Sequence, residues 1–151
     1  MKRFLAVLVL VGVVGTAFAQ QAPKPEDLIK FRKAGFNFMA WNFGKIKANL
    51  DGNFNKDQVM AAANAVAAMS ASGMGALFGP GSKKDVGDQK TRVKPELFQQ
   101  QDKARELMGN LTKEANELVK VAATGDVAAI KAQFGKTGGT CKACHDDFRK
   151  D

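Results

Sequence analysis

The sequence predicts an all-α protein, an antiparallel up-down-up-down four-helix bundle. Two observations carry this reading. Apolar residues recur at alternating steps of three and four through long segments, the spacing that keeps one helix face towards a core. Helix start signals open those segments at Pro25, Asn55, Pro95 and Asp126, and Gly-rich or Asp-Gly-Asn stretches close them.

The first helix is expected from Pro25, which suits a first-turn position, with Glu26 and Asp27 near the positive end of the helix dipole. It should run to about Asn49, where Asp51-Gly52-Asn53 stops it. Its seam is Ile29, Arg32, Phe36, Met39, Phe43, Ile46 and Leu50. The second helix follows Asn55, with Gln58 as a capping-box partner, and runs to about Ser72. Ala61, Ala62, Ala63, Ala65, Ala67 and Ala68 give it a small-residue surface that another helix can approach closely, within the bundle or in a second subunit. Residues 73–94 hold several glycines, Pro80 and many charges, and read as a long crossover loop. Pro95 opens the third helix, which ends near Thr124-Gly125 and carries the seam Ala104, Met108, Leu111, Ala115, Leu118 and Ala122. Asp126 caps the fourth, whose seam is Val127, Ile130, Phe134, Thr137, Cys141, Cys144 and Phe148. Gly135, Gly138 and Gly139 weaken the middle of that helix, so a bend or loosened turn is expected there.

Residues 1–19 read as a secretory signal peptide: Lys2 and Arg3 form the positive start, Phe4 to Val14 the apolar run, and Ala17-Phe18-Ala19 the cleavage site. The apolar run is too short to favour a membrane anchor. Residues 20–151 then form one domain, large enough for a single core. The formal charge of +8 falls to +6 without Lys2 and Arg3. The basic residues are spread along the chain, with no arginine-rich block or aromatic platform, so a nucleic-acid partner is not expected. Weak steering towards an acidic partner stays compatible with this charge.

The chemistry concentrates in Cys141-Lys142-Ala143-Cys144-His145, which contains both cysteines and the single histidine. C-x-x-C-H is the attachment motif of c-type haem. Three- and four-residue spacings on a helix put both thiols and the imidazole on one side, where a single porphyrin can meet them. A redox dithiol would call for a βαβ pattern, and none is visible. A zinc site needs about four ligands, and only three are offered here. A disulfide would close a very small loop and remove little chain entropy. The reading is therefore one covalent haem c through Cys141 and Cys144, with His145 as iron ligand. Export supports it, because bacteria attach c-type haem outside the cytoplasm, which points to the periplasm.

Arg32 is the anomaly of the first seam. A guanidinium on an apolar stripe needs a partner, because an unpaired buried charge is costly. A haem propionate is the available anion, with bidentate geometry in its favour. The alternative is a snorkelling arginine with an exposed head. The sixth iron position decides the function. No second histidine exists, and Met39, Met60, Met69, Met74, Met108 or a lysine are the internal candidates. A methionine-capped iron mainly transfers electrons, and an open one binds gases.

A C-terminal C-x-x-C-H on the last helix of a four-helix bundle resembles cytochrome c′. The matching pieces are Lys24-Pro25-Glu26-Asp27, Phe31-Arg32, Phe78-Gly79-Pro80-Gly81 and the ending Cys141 to Arg149. The resemblance implies roles by position. Arg32 matches an arginine near the propionates, and His145 the proximal ligand. Arg149 matches a basic residue that shapes the proximal pocket, and Phe36 the distal side chain over the iron. Low-spin relatives carry a ligating Met at the position of Phe36, so Phe favours five-coordinate, high-spin iron. Met39 matches a methionine that packs. Some relatives have a tryptophan before the Phe-Gly-Pro-Gly stretch; here Met74-Gly75-Ala76-Leu77 stands there and Trp41 lies in the first helix. The resemblance also implies a homodimer through the first two helices.

The function expected is binding of nitric oxide and carbon monoxide, with nitric oxide buffering or detoxification and a redox-active haem. Phe36 crowds the distal side, so a gas could instead displace His145 on the proximal side near Arg149. The alternative is a six-coordinate electron carrier with a redox partner protein. Peroxidase chemistry is disfavoured, because no distal acid–base group is available.

Overall fold

A computed structural model describes residues 22–150. The signal-peptide reading of residues 1–19 lies outside the described residues. Four helices form: α1 over Pro25–Asp51, α2 over Lys56–Ala71, α3 over Gln101–Thr124 and α4 over Val127–Phe148. None is long and apolar enough to cross a membrane.

Each helix begins where local chemistry satisfies its first amides. Pro25 opens α1 with Glu26 and Asp27 in its first turn. Asp126 accepts from the amides of Ala128 and Ala129 at 2.9 and 3.0 Å to start α4. Asn55 caps α2 by accepting from the Gln58 amide at 3.0 Å. The reciprocal half of the expected capping box is taken elsewhere: the Asn55 amide donates to Asn49 Oδ1 of α1 at 2.9 Å, so the cap also pins the α1–α2 turn. Gly125 ends α3 in the left-handed region, φ 78°, with its amide donating to the Ala122 carbonyl.

Three apolar clusters stacked along the bundle show that consecutive helices run antiparallel. The first joins Ile46 of α1, Val59, Ala62 and Ala63 of α2, Leu118 and Ala122 of α3, and Ile130 of α4. The second joins Met39, Val66, Ala67, Leu111 and Ala115. The third, at the opposite end from the first, joins Val93, Leu97, Ala104 and Phe148. Residue numbers fall along α1 and α3 as they rise along α2 and α4, which is the up-down-up-down order.

Three further sequence expectations change. Pro95 opens only a 3₁₀ turn, Pro95–Phe98; α3 starts separately at Gln101, because Gln100 leaves the helical region at φ −108°, ψ 51°. The α4 glycines do not interrupt α4, which is continuous from Val127 to Phe148. Packing outweighs their weak propensity, and Gly138 lies against the Phe43 ring, which itself stacks on Phe134 with centroids 4.0 Å apart. Val127, expected on the α4 seam, is exposed.

Residues 73–94 do form the crossover, with a 3₁₀ turn at Met74–Phe78 folded onto α1. Gly81, at φ 83°, lets this segment close on Pro25, where a Cβ would come within 2.8 Å of the ring. In α2, Ala62, Ala63 and Ala67 face the core while Ala61 and Ala68 face out.

Candidate functional site

Cys141 and Cys144 share one face of α4, but each meets a different apolar cluster. Cys141 packs on the middle cluster with Phe36, Met39 and Met69. Cys144 packs on the end cluster with Phe78, Phe98 and Leu107. The two thiols therefore straddle the junction of two apolar layers, which suits a flat apolar group tethered at two points. Burial pushes both thiols above the ordinary cysteine value, and for Cys144 the charges of Cys141 and Asp147 add to it. A redox dithiol needs the opposite shift.

The phenyl rings of Phe36 and Phe78 bridge these layers, with centroids 6.3 Å apart and planes tilted by 55°. Arg32 lies one turn before Phe36, only 5 % exposed, which excludes a snorkelling arginine. It donates from Nη1 to the Leu77 carbonyl (3.0 Å) and Ser82 Oγ (3.1 Å), and from Nη2 to the Ser82 carbonyl (3.1 Å) and Thr91 Oγ1 (2.8 Å). Its guanidinium carbon sits 4.7 Å from the Phe78 centroid. The partners are neutral oxygens of the crossover, and these four bonds account for the N–H groups of both terminal nitrogens.

His145 is exposed and opens onto a groove lined by Arg92, Lys94, Asp146, Arg149 and Lys150. Arg149 Nη1 lies 3.4 Å from His145 Nδ1. Burial, and then the charges of Arg149 and Arg92, hold the imidazole below its ordinary value, so it is neutral near pH 7 and able to bind a metal.

Of the candidate methionines, Met39 and Met69 share the Cys141 cluster. Met60 packs on the far cluster instead. Met74 is buried against Gly35, where a Cβ would meet its sulfur at 2.7 Å, and Met108 reaches towards Gly75. The sequence reading missed Arg92 as a neighbour of His145 and Phe78 as a neighbour of Phe36. Both come from the crossover, whose course no periodicity encodes.

Two thiols set on an apolar double layer of a four-helix bundle, with a neighbouring imidazole on the same helix, define a c-type haem protein. The cytochrome C′ family model matches residues 27–149, and the chain belongs to that family. It is 50 % identical to cytochrome c′ of Allochromatium vinosum over 99 % of both chains. The crystal structure of Thermochromatium tepidum cytochrome c′ superposes with a TM-score of 0.85 at 54 % identity, covering 87 % of this chain and all of that one. A solved cytochrome c′ described by its unusual ligand-controlled dimer dissociation gives 0.85 at 51 %, over 87 % of this chain and all of that one. Nitric oxide complexes of Alcaligenes xylosoxidans cytochrome c prime variants give 0.75 at 28 % identity, over 87 % of this chain. The family binds haem c, and Cys141 and Cys144 are present for its covalent attachment.

Proposed function

We propose that this chain is a periplasmic gas-binding haem protein, exported by the signal peptide at residues 1–19, with five-coordinate high-spin iron on His145. It takes up nitric oxide and carbon monoxide, buffers nitric oxide, and works as a homodimer. The supporting observation is Phe36, an inert ring in the same apolar layer as Cys141 and braced by Phe78.

When bound, the haem supplies an iron that can take a diatomic gas. The protein's own residues set the terms of entry. Cys141 and Cys144 tether the group. Phe36, Met39, Val66, Met69 and Leu111 line the Cys141 side with carbon and sulfur, and none of these five carries the side-chain N–H or O–H that stabilises bound dioxygen. Nitric oxide and carbon monoxide do not depend on such a donor.

Arg149 shapes the other side. A metal-bound imidazole ordinarily donates Nδ1–H to a carboxylate or carbonyl, which strengthens it as a ligand. Arg149 can only donate, so this support is missing where its Nη1 meets Nδ1. His145 would thereby hold the iron less firmly than a histidine backed by a carboxylate, and Arg149 would stand beside it to meet an incoming gas. For Arg32 the original propionate role narrows: its terminal nitrogens serve the crossover, and Nε–H is the donor left for a carboxylate.

The dimer reading rests on the outer face of α1. Phe31, Phe38 and Trp41 are 55 %, 49 % and 60 % exposed, and outward Ala61 and Ala68 of α2 permit close helix approach.

The alternative, a six-coordinate electron carrier, draws on Met39 and Met69 in the Cys141 layer. Ferric and ferrous spectra, with and without nitric oxide, separate the two. High-spin spectra and a nitrosyl adduct are expected; a low-spin Met/His spectrum in both oxidation states overturns the open-iron reading.

A further inference from the structure

The last turn of α4, which carries His145, is tied down by residues of the crossover. The Lys94 amide donates to the Phe148 carbonyl at 2.8 Å, and the Lys150 amide to the Arg92 carbonyl at 2.7 Å, around an antiparallel bridge of Val93 with Arg149. Lys94 Nζ donates to the Asp146 carbonyl at 2.9 Å, and Arg92 Nε to the Lys150 carbonyl at 3.2 Å. A helix C-terminus leaves its last carbonyls without intrahelical donors. Here the segment 92–94 answers two of them, at Asp146 and Phe148, while the Arg149 amide answers His145 itself. Val93 and Phe148 are buried together in the Cys144 layer, so the clasp is anchored in the core. It is also anchored from the other side, because Thr91, one residue earlier, accepts from Arg32 of α1.

We propose that this strap, with Lys94 as its principal clip, is a positioning element that sets how firmly His145 holds the iron. The inference rests on His145 being the ligand. An imidazole leaves a metal by rotating or withdrawing with its backbone, and the strap fixes that backbone on the carbonyls one and three residues after His145. A firm strap keeps His145 in place; a loosened strap lets an incoming gas displace it faster. Phe36 packs in the Cys141 layer, whereas Val93 and Phe148 of the strap sit in the Cys144 layer, so strap loosening leaves the control of entry at Phe36 intact.

Lys94 permits a graded deletion. Its φ of −77° suits a proline ring, and Lys94→Pro removes the amide donor and the side-chain donor together while its ring Cδ pushes the Phe148 carbonyl away. Lys94→Met removes only the Nζ bond. In the full-length holoprotein, Lys94→Pro is expected to speed exchange of the Lys150 amide about ten- to thirtyfold, the worth of the two ordinary hydrogen bonds it removes. The iron–histidine stretching band of the ferrous protein moves to lower frequency, and displacement of His145 by nitric oxide quickens several-fold, with Lys94→Met intermediate. Carbon monoxide association stays within about twofold.

Ile130→Val, a remote core truncation in the cluster farthest from the strap, controls for mere loss of stability. A band that moves as much in Ile130→Val as in Lys94→Pro overturns the proposal. So does a band unmoved by both Lys94 variants while Lys150 exchange rises. Absence of an iron–histidine band from the unaltered protein overturns the ligand assignment itself and this inference with it, which keeps the two failures distinct. If Lys94→Pro fails to fold, Lys94→Met carries the same comparison.

Discussion

The guanidinium carbon of Arg32 lies 4.7 Å from the centre of the Phe78 ring, with Phe78 in turn 6.3 Å from Phe36. A charge inside the bundle is tolerable here because the cation rests on an aromatic face and gives its terminal N–H groups to Leu77, Ser82 and Thr91. The crossover is thus wound around one arginine. Arg32→Met keeps most of the apolar stem but strands the Leu77 and Ser82 carbonyls. The expected loss is about 2–4 kcal/mol in chemical denaturation, with faster proteolysis of residues 73–94. Arg32→Lys recovers only part of it, since an ammonium cannot reach the same oxygens as a planar fork. Unchanged denaturation by Arg32→Met would show that the hydrogen-bonded clamp contributes nothing.

Phe36 governs entry on the Cys141 side under the proposed reading. Phe36→Ala opens space that Phe78 alone cannot fill, and carbon monoxide association with the ferrous protein is expected to rise by about tenfold or more. Stopped-flow mixing reads this directly. A rate equal to that of the unaltered protein would remove Phe36 as the lid.

The helical frame was legible because its determinants are local. Pro25, Asn55, Asp126 and Gly125 act on amides or carbonyls within a few residues, and the seams of α1 and α3 follow from spacing alone. The haem motif was legible for the same reason: Cys141, Cys144 and His145 lie within five residues. What escaped depends on chain that travels far before it returns. Arg32 was seen to need a partner, but its partners at 77, 82 and 91 carry no pattern linking them to it. The break at Gln99–Gln100 likewise has no local signal. The α4 glycines mislead in the opposite direction, since propensity favours a loosened turn and packing overrides it.

Phe38 and Trp41 form a tilted pair on the outer face of α1, with centroids 5.8 Å apart and planes 31° apart, and Lys45 Nζ sits 4.0 Å over the Trp41 ring. Replacing Phe38 or Trp41 by Glu puts charges into an interface that the proposed homodimer must desolvate. The expected outcome is a shift to monomer in sedimentation velocity, with haem spectra unchanged. A dimer of undiminished strength in both variants would place the interface elsewhere.

Asp85 closes the crossover near the strap. Its Oδ1 accepts from the Thr91 amide at 2.9 Å, and Lys90 pairs with Oδ2 at 3.3 Å. The Thr91 hydrogen bond, followed by Lys90, holds this carboxyl below its usual range. A depressed carboxyl stabilises the fold fully above its unfolded value of about 3.9 and loses that contribution as pH falls through the folded value. Because Thr91 also accepts from Arg32, protonation loosens the amide end of a residue whose hydroxyl is still held. In the ferrous carbon monoxide complex, which is diamagnetic, the Thr91 amide proton is expected to move upfield as pH falls below about 4, following the Asp85 titration. Asp85→Asn removes that titration and leaves Thr91 flat across the same range. A Thr91 amide that titrates identically in both proteins would mean another acid controls it.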